Sequence, residues 1–142
     1  MSQYYAMGGR TLWNPSNGAS RLFLRQVTLF EAELGLPLGI GPMEADECQI
    51  APGEFEAFVD ALLARHRRTT HAVMIALSEG FVSTVLVLAR RADIEVAWNT
   101  GESAASEELT DIQVPATPAP DQETWAASLH QRSLELGRFM AR

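Results

Sequence analysis

The sequence predicts a mainly α fold: an N-terminal β-hairpin followed by a three- to four-helix bundle. Three observations carry that prediction. Apolar residues recur at helical spacing in successive segments after residue 15, prolines and glycines fall at the ends of those segments, and the clearest strand signal is confined to the first 13 residues. At 142 residues, 46% hydrophobic and 20% charged, the chain has the length and composition of one domain with one core.

The hairpin is read over residues 3–13, where Gly8-Gly9 supplies a two-residue turn between Tyr4-Tyr5-Ala6-Met7 and Arg10-Thr11-Leu12-Trp13. A first helix follows, with Asn14 as its expected cap, Pro15 at its first position, and Gly35 with Pro37 as its stop. Phe23, Val27, Phe30 and Leu34 form its apolar stripe, widened by Leu22, Leu24 and Leu29. The Gly/Pro run 35–42 is a loop rather than a phosphate cradle, because a helix precedes it and Pro42 closes it. After a short strand at Glu47–Ile50, Pro52 opens a second helix. Glu54 and Glu56 lie in its first turns and Arg65, His66, Arg67 and Arg68 in its last, matching the helix dipole.

Residues 71–98 admit two readings. A helix over 71–91 has the stripe Met74, Leu77, Phe81, Val85 and Leu88, and this is the preferred one. The alternative is an α+β fold with 71–98 as a β-meander turning at Ser78-Glu79-Gly80 and at Arg90–Asp93, supported by the β-branched content. Beyond it, 99–120 is acidic, lacks any basic residue and holds three prolines, the composition of a linker. Asp121 then caps a last amphipathic helix over 121–142. The expected organisation is thus a core domain over 1–98, a linker over 99–120 and a C-terminal helix over 121–142.

Composition excludes more chemistry than it offers. All eleven basic residues are Arg, so lysine Schiff bases and the P-loop lysine are ruled out. A net charge of −7 argues against nucleic acid as a partner. The lone Cys48 leaves no intramolecular disulfide and fits a reducing compartment. With no basic and apolar leader at the N-terminus, a cytoplasmic location is expected. The apolar stretch Ala72–Ala89 carries Glu79 near its middle, so no membrane span is expected. His66 and His71 are five apart, off the i, i+4 spacing of two zinc ligands on one helical face, so no metal and no cofactor is expected. Gly18-Ala19-Ser20-Arg21-Leu22 lacks the closing glycine of a nucleophile elbow. Glu79 is the one catalytic candidate: on the helical reading it shares a face with Ile75, Val82, Ser83 and Leu86. Arg25, His66 or a serine hydroxyl are its expected partners.

Gly9-Arg10-Thr11-Leu12-Trp13-Asn14-Pro15-Ser16, Gln49-Ile50-Ala51-Pro52 and Glu79-Gly80-Phe81 together resemble a family of small uncharacterised proteins of Streptomyces-type actinobacteria, over about residues 3–92. The resemblance implies no activity and assigns no residue a role. The favoured function is therefore a non-enzymatic cytoplasmic binding or accessory protein that recognises another protein, of an immunity type, or a second copy of itself. Trp125, Leu129, Leu136 and Phe139 on the last helix are its candidate partner-binding face. The alternative is a small cofactor-independent enzyme or ligand-binding protein of secondary metabolism with an apolar pocket around Glu79.

Overall fold

The computed structural model describes residues 2–98 and 121–142; the predicted linker over 99–120 lies outside them. Strands β1 (Tyr4–Met7) and β2 (Arg10–Trp13) form the hairpin, with Gly8 at φ 57° and Gly9 at φ 78°, the left-handed pair that a tight hairpin turn requires. The third strand, β3 (Glu47–Gln49), pairs in parallel with β1 through Tyr4↔Glu47, Tyr5↔Cys48 and Ala6↔Gln49. The result is a three-stranded mixed sheet in the order β2-β1-β3, in which Tyr5, Leu12, Trp13 and Cys48 are buried.

Helix α1 (Asn17–Leu34) begins later than the sequence predicts. Ser16 is its cap, accepting from the Ala19 N–H at 3.4 Å, because residues 14 and 15 are already engaged by backbone pairing. The Pro15 carbonyl accepts from the Gln3 N–H at 3.0 Å, and the Asn14 N–H donates to the Ala141 carbonyl at 2.9 Å. Gly35 ends the helix as expected, left-handed at φ 67°. Helix α2 (Pro52–Arg68) has Pro52 in its first turn, and α4 (Gln122–Gly137) is capped by Asp121, whose Oδ1 accepts from the Thr124 N–H at 2.8 Å.

Residues 72–91 form one helix, α3 (Ala72–Arg91), so the meander alternative does not hold. The hydroxyls of this segment are satisfied inside the helix: Ser78, from the predicted turn, and Ser83 and Thr84 donate to the carbonyls four residues back, those of Met74, Glu79 and Gly80, at 2.6, 2.8 and 2.9 Å.

The C-terminal half of α3 is the centre of the core, with Phe81, Val82 and every residue from Val85 to Ala89 buried. Its N-terminal half projects outward. Leu77, expected in the buried stripe, is 71% exposed, and Val73 is 51% exposed. Helix α4 packs along α3, and its Trp125 and Leu129 join Tyr5, Phe58 and Phe81 in one apolar cluster. Residues 121–142 thus share the core of residues 4–98. Arg91 fastens this joint from the end of α3, donating to the carbonyls of Leu12 on β2 and of Gly137 and Met140 at the end of α4.

Candidate functional site

Three helical faces meet around a pocket of about 380 Å³. From α1 come Gln26, Leu29, Phe30 and Glu33, from α2 Leu62, Arg65, His66 and the adjoining Thr69, and from α3 Met74, Leu77, Ser78 and Val82. The α1 and α2 sets share the spacing i, i+3, i+4, i+7, one face of a helix, so the pocket is where one face of each helix meets α3, with the polar groups of Gln26, Glu33, Arg65, His66 and Thr69 among apolar side chains. Its lining is chiefly apolar, and volume and character both suit a small guest or an inserted side chain. Arg65 clamps one edge, donating to the main-chain carbonyl of Glu33 at 2.9 Å and to its carboxylate at 2.6 Å. In the same lining Leu29 is 57% exposed and Leu77 is exposed as well.

His66 belongs both to this pocket and to the α2–α4 contact. Its Nδ1 accepts a hydrogen bond from the Trp125 indole N–H at 3.0 Å. An indole nitrogen can only donate, so Nδ1 is unprotonated and the neutral ring carries its proton on Nε2. That Nε2 is buried and has no hydrogen-bond partner among the described residues. Burial pushes the pKa of His66 below its ordinary value; the Glu79 carboxylate acts against the shift and the Arg132 guanidinium adds to it.

Glu79 lies on the other flank of α3, beside Ala76, Gly80, Leu136 and Phe139, and does not line the apolar pocket. Its partner is none of the three the sequence offered. Arg132 of α4 forms an ion pair with it, and the Ser83 hydroxyl goes to its main-chain carbonyl instead of its carboxylate. The Glu79 side chain is 26% exposed and that of Arg132 49%, so water screens the pair. Glu79→Gln is accordingly expected to change stability by less than about 1 kcal/mol in urea denaturation. A loss of about 3–5 kcal/mol would instead be that of a desolvated pair.

The four candidate partner-binding residues separate. Trp125 and Leu129 are buried within the chain, Leu136 is partly buried, and Phe139 is 87% exposed. The cause is the end of the helix: α4 stops at Gly137, Phe139 lies in the turn beyond, and Met140 takes the buried place that helical spacing gave to Phe139. Gly137 was the signal that could have shown it.

Cys48 is no nucleophile. Burial pushes its thiol up to about 11, with the Glu47 carboxylate adding to the effect, so it stays protonated at neutral pH. Among the described residues, no group of three or more His, Cys, Asp or Glu side chains is placed to hold a metal ion.

No curated protein and no solved structure shows significant similarity to the chain. A family model described as a family of unknown function, DUF6086, matches residues 1–142, reaching past the hairpin and core motifs to the acidic segment and α4. The chain therefore belongs to the DUF6086 family of unknown function.

Proposed function

We propose that this chain is a non-enzymatic binding protein that receives an apolar side chain or amphipathic helix of another protein in the groove between α1, α2 and α3. The observation that carries the reading is the projecting N-terminal half of α3, where Val73 and Leu77 are exposed and Leu77 lines the apolar pocket together with the exposed Leu29 of α1. Apolar side chains grouped around a preformed hole are the usual form of a helix-in-groove site. An enzyme built around Glu79 has less in its favour, since that carboxylate is ion-paired outside the pocket. A cytoplasmic accessory role of immunity type is part of this reading, supported by the net charge of −7 and the lone cysteine. The use of Arg for every basic residue supports an actinobacterial source.

Site-specific photo-cross-linking in the native cell tests the proposal. A cross-linking residue at Leu29 or Leu77 is expected to give one discrete adduct that the same residue at Ala127, exposed on α4, does not give. With the cross-linker at Leu29, adding Leu77→Asp is expected to weaken capture about thirtyfold, the effect of losing a central anchor. Equal adducts from all three positions would overturn the reading. An adduct of twice the chain's mass would replace the foreign partner by a second copy.

A further inference from the structure

We propose that the hydrogen bond from Trp125 to His66 is a proton-operated latch that holds the N-terminal half of α4 on α2 and lets it go when the imidazole is protonated. It is independent of the groove proposal, since it concerns the other side of His66. The geometry leaves the protonated ring no good alternative. Nδ1 now accepts from the indole N–H at 3.0 Å, and on taking up a proton it becomes a donor facing a donor. The second nitrogen offers no relief, because Nε2 already carries a hydrogen, is buried and is unpartnered among the described residues.

The charges around the ring come from every helix packed there. On α2 itself, Arg65 is held by Glu33 of α1, and Arg67 lies 5.7 Å from the centre of the Trp125 ring while its Nε donates to the Gln122 side chain at 3.0 Å. From α3 comes Glu79, and from α4 comes Arg132, which is paired with it. Among the described residues Glu79 is the carboxylate that acts on the His66 charge, and it is already shared with Arg132. A charged His66 would join Arg67 as a second cation beside the same indole. Burial holds the folded-state pKa of His66 below the ordinary 6.5. The latch is therefore fully made above about pH 6.5 and weakens as pH falls from there toward the folded value. The far end of α4 has separate fastenings, Arg91 to the carbonyls of Gly137 and Met140 and Asn14 to that of Ala141. Release thus begins at the Trp125 end and uncovers Trp125 and Leu129, the two residues of the predicted partner face that are buried at rest.

The test is nuclear magnetic resonance of the full chain, following the Trp125 indole N–H and backbone amide exchange from about pH 7.5 to about pH 5. On acidification the indole resonance is expected to move to its solvent-exposed position. Protection over residues 125–133, corrected for intrinsic exchange rates, is expected to fall about tenfold or more, while Val85–Ala89 of α3 stay protected. His66→Gln is the locked variant, since its amide oxygen accepts from the indole at either pH and does not titrate. It is expected to keep α4 protected throughout. No change in the native chain, or the same change in His66→Gln, would overturn the latch. Should His66→Gln not fold, the imidazole nitrogen shifts of the native chain decide: a ring already charged at about pH 7.5 overturns the proposal, and a neutral ring whose protonation coincides with the indole shift sustains it.

Discussion

Replacing Arg91 by methionine is expected to destabilise the fold by about 3 kcal/mol, because one guanidinium joins three parts of the chain that have few other polar ties. Its Nη1 donates to the Leu12 carbonyl at 2.7 Å, and its Nη2 to those of Gly137 and Met140 at 3.0 and 2.6 Å. Methionine keeps most of the stem and its packing and removes all three donors, so the change reports the hydrogen bonds more than the volume. The side chain is only partly buried, and some of the freed carbonyls regain water, which is why the total stays well below three full charge-assisted bonds. Arg91→Lys is expected to fall between the two, since a single ammonium cannot reproduce the planar fork. Urea denaturation followed by circular dichroism measures the series. A methionine variant within about 0.5 kcal/mol of the native chain would show that the joint rests on apolar packing alone.

Phe81→Ala is expected to have the other large effect, a loss of about 3–5 kcal/mol. Phe81 stacks on Phe30 with centroids 4.3 Å apart and planes at 3°, and it also meets Phe23 at 5.9 Å and Phe58 at 6.3 Å. Phe23 in turn is packed edge-on against Tyr5 and Trp13, so the ring ties α3 to α1, to α2 and, through Phe23, to the sheet. Truncation leaves a void that no single neighbour can fill. Phe30 also walls the pocket, so the same substitution is expected to loosen the groove. Phe81→Leu, which refills much of the void, is expected to recover more than half of the loss in the same urea measurement.

The elements that could be read from the sequence are those whose signals are local. Gly8-Gly9, Gly35, Pro52 and Asp121 each act on their own backbone or on residues within one helical turn, and each does what its chemistry predicts. The start of α1 was misplaced because Asn14 and Pro15 pair with Ala141 and Gln3, and nothing local marks those partners. The parallel seat of β3 beside β1 was out of reach for the same reason. At the candidate site, the apolar residues were visible as stripes, but the depth at which each stripe is covered was not. Leu77 and Phe81 are equivalent by periodicity and differ because the second half of α3 is enclosed by its neighbours whereas the first half is only partly covered. Glu79 was noticed for its apolar surroundings in sequence, whereas its environment is decided by Arg132, 53 residues away on a different helix. The sequence offers His66 as a metal ligand or a partner of Glu79; its indole partner on α4 is a non-local fact.

The position of Cys48 gives the molecule a built-in stopwatch. The residue is 1% exposed, on the edge strand β3 opposite Tyr5, and the chain has no second cysteine to confuse the reading. An alkylating reagent must wait until β3 lifts away from β1, so its rate counts openings of the sheet, slowing about tenfold for each 1.4 kcal/mol that opening requires. Loss of helix α4 and loss of the sheet can then be timed separately in one unmodified chain, the first by its indole and the second by its sulfur.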